Sequence, residues 1–375
     1  MDPPDVLGSD LNFCRWAYRA WTFQEKALST RQVLFGNSNV HVLCQHTHES
    51  MGDKPEEPID NNKYQITQAV TSATPTSQLH QSWDALLSLY STFNETALTY
   101  ATDILPALAG LARLFQEHLG HDTYICGHWQ TTLYHDLMWT LHHKLYALSR
   151  QAHLAKLPTR TSRLLPFWSR LLQSRRTVNP FTPGSHNSFH NLRPEYQHLT
   201  PDVALPAGSN NPLGAVRHAR LHLTTVLLEL RGIVMQSEPG LGGDRDEDEE
   251  HCGFKWHSDF VDDGGYLDAE SPSPIIFRLD RLIVGGMGSE IRSEDTSSAV
   301  GGVEESRWAL LGSCEVRDGG GGGGRAAFGL VLHAVPGEVG RYWRVGTFVP
   351  SVRGRHGDSL GLFRKVGRVE TVEVV

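Results

Sequence analysis

The amino-acid sequence predicts an α+β chain, and three observations carry that prediction. Within 15–44 a short helical segment runs into two β-rich runs joined by a turn. Between 82 and 150 apolar residues recur every three to four positions, which is the period of helices with one buried stripe. From about 216 onward, β-prone runs return between glycine and charge clusters with no helical pattern separating them, which predicts an antiparallel sheet or sandwich.

In the first stretch, Thr22 is placed to cap a helix and Glu25, three residues on, to reach back to the cap's own amide, the reciprocal pair of a capping box. Ser29-Thr30 offers a polar exit. Val33-Leu34-Phe35 and the run Val40 to Cys44 then read as strands around a Gly36-Asn37-Ser38-Asn39 turn. Trp16, Tyr18, Trp21 and Phe23 crowd the helix entry, and docking through aromatic area is expected there.

A polar, proline-bearing connection is expected over 51–81. The helical layer of 82–150 has three stripes. Trp83, Leu86, Leu87 and Tyr90 form the first. Ile104, Leu108, Leu111 and Phe115 form the second, with Asp103 as N-cap and Pro106 in a first turn that needs no donor. Leu133, Leu137, Leu141, Leu145 and Leu148 form the third, a seam kept over about four turns. Residues 151–215 carry little periodicity and read as irregular. The β region of 216–375 begins with alternation around Leu221, Leu223 and Thr225. It continues in runs at 275–284, 307–316, 326–335, 341–349 and 370–375, interrupted by inserts expected to be disordered at about 237–273, 286–306 and 317–325.

A chain of 375 residues with 39% hydrophobic and 20% charged residues has the composition of a soluble globular protein of two or three domains. The formal charge of -8 leaves no electrostatic reason to expect nucleic acid as a partner. No apolar run is long enough to cross a membrane, and the first residues have no signal-peptide pattern. The 5 cysteines are widely spaced without a CxxC pair, which favours free thiols in a cytoplasmic protein.

The residues Arg19, Trp21, Thr22, Gln24, Glu25, Leu28, Ser29 and Arg31, with the strand pair behind them, resemble the third and last block of the fungal heterokaryon-incompatibility (HET) domain. That block runs roughly R-x-W-T-x-Q-E, x-x-L-S-x-R, then apolar strands. The likeness continues through Trp83 to Tyr90, Asp103 to Ala112 and Tyr124 to Trp129, with a fainter echo at Leu165-Pro166-Phe167-Trp168-Ser169. The family's earlier SYxWG-type and WIDxxCINQ-type blocks are absent, so residues 1–50 look like the C-terminal part of an N-terminally truncated HET domain.

The resemblance implies a remnant of an α/β TIR-like fold. It also implies a role in non-self recognition and programmed cell death in a filamentous fungus, through contacts with other proteins of the incompatibility system. Some members of the related TIR fold cleave NAD with a glutamate beside the nicotinamide ribose. Glu25 is then the candidate catalytic carboxylate and NAD a possible substrate rather than a cofactor, with oxocarbenium charge as what it would stabilise. The capping box accounts for Glu25 without a ligand, and an inactive, decayed protein is a third reading.

Other chemistry finds less support in the sequence. His41, His46 and His48, and His121, Cys126, His128 and His135, are local clusters, but neither has zinc-finger or HExxH spacing, and surface or half-buried histidine is the expectation. His142-His143 beside the third seam and His251, Cys252 and His257 in an acidic insert read the same way. There is no GxSxG elbow. The glycine runs 240–243 and 285–288 lack a strand-to-helix context, and Arg170 to Arg176 has no aromatic interleaving.

Overall fold

A computed structural model describes residues 10, 19–44, 48–52, 70, 74–93, 100–141, 165–172, 177–179, 181, 189–229, 251–258, 275–278, 306–316, 325–350 and 359–375. Trp16, Tyr18, His46 and His142-His143 lie outside them, as do the greater parts of the three expected inserts. The chain divides into two compact units: 1–132 with 171–177 and 203–218, and the remainder. Both are mixed, so the α+β class holds, with an antiparallel sheet in the C-terminal half.

In the first unit, helix α1 (Ala20–Leu28) leads into β1 (Arg31–Phe35) and β2 (Asn39–Cys44). A third strand, β3 (His48–Gly52), extends them into a three-stranded antiparallel sheet with β2 in the middle. The expected hairpin is therefore three strands, and β3 reaches into what reads as linker from 51. On the outer face of this sheet Val33, Phe35 and Met51 are exposed.

Helix α2 (Thr76–Phe93) begins inside the expected linker and buries its full stripe of Trp83, Leu86, Leu87 and Tyr90. The second stripe, Ile104, Leu108, Leu111 and Phe115, is buried as well. Its chain path is less regular than its period suggests: two 3-10 turns at Ala101–Asp103 and Pro106–Leu108 precede helix α3 (Ala109–His118). Asp103 ends the first turn and caps nothing.

The core of this unit is an aromatic cluster around Trp83, with Phe115, Tyr124 and Trp129 at ring-centroid distances of 5.1, 5.8 and 5.4 Å, each edge to face. Such pairs add about 0.5–1.5 kcal/mol apiece beyond buried area. Tyr124 and Trp129 belong to a small hairpin of β4 (Tyr124–Ile125) and β5 (His128–Trp129). Its turn residues Cys126 and Gly127 have φ of 49° and 100°. That two-residue geometry suits the strand twist, and it aims the Gly127 carbonyl at the indole N–H of Trp83, 2.9 Å away.

In the second unit, the described part of the third apolar seam, Leu133 to Leu141, does not form one helix, and Leu145 and Leu148 lie outside the described residues. Helix α4 is a single turn, Leu133–Asp136, and the reason lies in who takes its carbonyls. Asn179 Nδ2 donates to the His135 carbonyl at 2.9 Å. Arg344 Nε donates to that of Leu137 at 3.3 Å, and a terminal guanidinium N–H to that of Trp139. A helix needs those oxygens for its own i to i+4 bonds. Leu137, Met138 and Trp139 are nonetheless fully buried, so the apolar pattern reports burial correctly and geometry wrongly.

Two strands, β6 (Phe189–Pro194) and β7 (His198–Ala204), occupy part of the stretch expected to be irregular. The strands β8 (His218–Glu229), β9 (His251–Ser258), β10 (Ile275–Arg278), β11 (Ser306–Val316), β12 (Arg325–Ala334), β13 (Arg341–Pro350) and β14 (Arg368–Val374) complete a nine-stranded sheet. Its main path runs β10-β9-β13-β12-β11-β8-β14. β9 overturns the expectation of disorder at 251–258: Phe254 to Ser258 pair with Pro350 to Gly346 of β13. Its alternating Cys252, Phe254 and Trp256 are strand-like, but the neighbouring acidic run masks the pattern.

β12 and β13 are buried on both faces through most of their length. Helix α5 (Ser359–Val366), which sequence reasoning missed, packs on β12. Phe363 stacks on Phe348, itself stacked on Trp308 at 4.6 Å. Gly329 lies at this crossing because a Cβ there would stand 1.9 Å from the Ala309 carbonyl oxygen.

Gly329→Ala is expected to destabilise the chain by at least about 3 kcal/mol, because the clash is with backbone. Gly337→Ala, in an open loop at φ of 78°, should lose only about 1–2 kcal/mol from the left-handed backbone. Urea unfolding of the two variants beside the parent protein checks the ordering.

Candidate functional site

The residues that carry the family resemblance are placed by α1. Arg19, extended at φ -86° and ψ 129°, is its N-cap, without a side-chain cap bond. Thr22 is inside the first turn and buried, its hydroxyl donating back to the Arg19 carbonyl. The capping box is therefore not made: the helix starts three residues earlier than Thr22 requires, and its hydroxyl acts as donor rather than acceptor. Glu25 is exposed, and its carboxylate has no hydrogen-bond or ion-pair partner among the described residues. Trp21 is only partly covered, with 36% of it exposed. Phe23 docks edge to face on Tyr90 at 5.2 Å.

Gln24, Leu28 and Ser29 have clear structural work. Gln24 Oε1 accepts the backbone N–H of Gly110 at 2.7 Å, one of the first-turn donors of α3 that no intrahelical carbonyl can reach. Leu28 lies against the same glycine, where an added Cβ would stand 3.0 Å from its Cδ1. Ser29 ends α1, its N–H and hydroxyl both donating to the Glu25 carbonyl at 3.2 and 2.6 Å. Arg31, exposed, opens β1. The motif thus converges on helix packing.

Among the described residues no group of three or more His, Cys, Asp or Glu could hold an ion, and His46 of the first cluster lies outside them. His128 is buried and His121 exposed at φ 64°. Burial pushes the Cys126 thiol up to about 12, so it is no thiolate nucleophile near neutrality.

What sequence reasoning missed is a polar chain under the small sheet. His41, fully buried on β2, stands directly across from Ser50 of β3. Its Nδ1 lies 2.8 Å from Ser50 Oγ and its Nε2 2.9 Å from Asp10 Oδ2. Asp10, also buried, accepts the backbone N–H of Ser38 at 2.8 Å and of Asn39 at 3.0 Å, and the Asn37 side chain donates to its carbonyl at 2.9 Å. Gly36 admits it, since a Cβ there would stand 1.9 Å from the carboxylate. Beside His41 on the same face, Asn39 is buried with neither side-chain polar atom partnered among the described residues.

Burial alone would raise the Asp10 pKa, but the bonds from His41, Asn39 and Ser38 and the charge of His41 outweigh it and lower the value. The only hint in the sequence was the alternation of Asn39, His41 and Leu43. Asp10 lies 31 residues away from His41 with no motif around it.

Comparison with family models, curated proteins and solved structures returns no match. No helix among the described residues is long and apolar enough to cross a membrane.

Because the folded pKa of Asp10 lies below its unfolded value of about 3.8, its contribution is complete above that value and is lost as pH falls through the folded one. Asp10→Asn is expected to cost roughly 2 kcal/mol at pH 7. The gap to the parent protein should close on acidification below pH ~4. Denaturant midpoints of both proteins across pH 3–7 measure it.

Proposed function

We propose that this chain is a heterokaryon-incompatibility-type signalling protein, cytoplasmic, acting by contacts with other proteins in non-self recognition and programmed cell death. The observation that carries the reading is the bond from the Gly110 N–H to Gln24 Oε1. It joins the two stretches most similar to the family, 19–31 and 103–112, at one packing point, with Leu28 against the same glycine. Residues that spacing alone made similar to a family motif thereby gain a shared physical task.

On this reading the N-terminal unit is a TIR-like remnant whose motif serves as scaffold. The solvent-facing Glu25 favours contact over catalysis, since cleaving a glycosidic bond needs a fixed carboxylate beside a bound ribose in a site that excludes water. Its lack of a partner among the described residues is also what an NAD-cleaving effector would require of a carboxylate awaiting substrate, which makes that the second reading.

Induced expression in a filamentous fungus, with intracellular NAD followed alongside, separates the two. The expected result is growth arrest with dying hyphal compartments, NAD unchanged before death, and the same outcome for Glu25→Gln. NAD loss abolished by Glu25→Gln establishes the effector reading instead, and normal growth under strong expression overturns both.

A further inference from the structure

The polar chain beneath the small sheet has a direction. Asp10, ionised near neutrality, can only accept, so the His41 nitrogen facing it, Nε2, must carry a proton. In the neutral imidazole Nδ1 is then the acceptor, and the Ser50 hydroxyl donates to it. The Ser50 proton is therefore aimed at a base, and the base is held in one tautomer by a buried carboxylate. These are the relations that activate a serine as nucleophile, and they are recognised by geometry rather than by order along the chain.

Two further observations separate this arrangement from a plain buried staple. Ser50 is only half-buried, whereas His41 behind it is sealed, so Ser50 is the most exposed member of the chain. Asn39 adds a donor: the β2–β3 register sets His41 opposite Ser50 and Asn39 opposite Gly52, which makes Asn39 and Ser50 diagonal neighbours on one face. Diagonal neighbours lie about 7–8 Å apart, within reach of an amide. The Asn39 side chain is 4% exposed with both polar atoms unpartnered among the described residues. A buried amide without partners is destabilising, a penalty that a ligand oxygen seated there would remove.

We propose that Ser50, His41 and Asp10 form an acyl-transfer relay, with Asn39 Nδ2 as the donor to the developing oxyanion and a small carboxylic ester as the substrate class. Ser50 Oγ bonds to the acyl carbon while its proton passes to His41 Nδ1, and Asp10 stabilises the imidazolium. The bond from the acyl carbon to the alcohol oxygen breaks, and that oxygen leaves with the proton from Nδ1. Water then attacks the acyl-serine, giving up a proton to Nδ1 that returns to Ser50 Oγ, and the carboxylic acid departs. Asp10 is a positioning residue, since it acts only through His41. This inference is independent of the signalling role proposed above and uses none of Arg19, Trp21, Thr22, Gln24, Glu25, Leu28, Ser29 and Arg31.

The test is labelling of the purified full chain with a fluorophosphonate, together with hydrolysis of 4-nitrophenyl acetate. The expected result is one adduct, mapped by mass spectrometry to Ser50 and lost in Ser50→Ala, with acyl release above that variant's. Asp10→Asn should slow labelling at least tenfold at pH 7.5 with an unchanged circular-dichroism spectrum. Should Asp10→Asn unfold, Ser50→Cys replaces it: the introduced thiol should be alkylated by iodoacetamide at least tenfold faster than the other cysteines of the same chain. No adduct on the parent protein under probe excess, an adduct indifferent to Ser50→Ala, or an introduced thiol no faster than the rest overturns the proposal. The fungal expression result is unaffected by any of these outcomes.

Discussion

The organisation of the N-terminal unit depends on one hydrogen bond that a helix cannot make for itself. The first turn of α3 has backbone donors facing away from its own carbonyls, and its cap residue Leu108 supplies no side-chain acceptor. Gln24 supplies one from another helix. Since α3 carries Leu111 and Phe115 into the cluster around Trp83, the bond fixes where α1 stands against that aromatic core. Gly110 is the other half of the constraint, because any side chain there would meet Gln24 at 2.9 Å. The small sheet follows directly from α1 through the Ser29 cap, so its position inherits the same constraint.

The second unit solves a related problem with a charge. Arg344 is buried, which is tolerable only when its donors are occupied and its charge is met. Its guanidinium lies 3.6 Å from the centroid of the Trp139 ring and donates to the Leu137 and Trp139 carbonyls. The indole N–H of Trp139 in turn donates to the Trp168 carbonyl at 2.9 Å. The faint Leu165 to Ser169 echo is thus a buried piece of core. Burying an arginine under this segment trades helical hydrogen bonds for side-chain ones, and α4 ends after one turn as a result.

This explains what could be read in the sequence and what could not. The stripes of α2 and α3 and the strands from β11 onward were legible, because apolar period and glycine breakers are local signals and packing agrees with them. The expected helix through Leu148 failed after Asp136 because the donors that interrupt it, Asn179 and Arg344, are 44 and 205–207 residues away from the carbonyls they take. No window of sequence contains both partners. The same holds for the polar chain under β2: His41 was legible as one of a cluster and Glu25 as part of a motif, yet Asp10 and Ser50 have no local mark. The capping box failed for a subtler reason, since Thr22 has the right chemistry but the chain turns helical one turn too early to use it.

The small sheet also inverts an ordinary pattern. Its covered face holds Asn39 and His41 among Leu34 and Leu43, while Val33, Phe35 and Met51 stand in solvent at 58%, 75% and 59% exposure. Apolar burial alone would favour the opposite orientation, and in a strand a slip of one residue is enough to exchange the two faces. Directional bonds hold the register instead. Asp10 engages two consecutive backbone amides and the imidazole two positions further along, which sets the face of β2 that is covered. Ser50 meets His41 only when it pairs directly across from it. Polar groups that cost free energy to bury are therefore what specify this sheet. The Asn39 side-chain amide, without partners among the described residues, adds nothing to what the Asn39 backbone N–H contributes, which is why that amide is better explained by something it binds than by something it holds together.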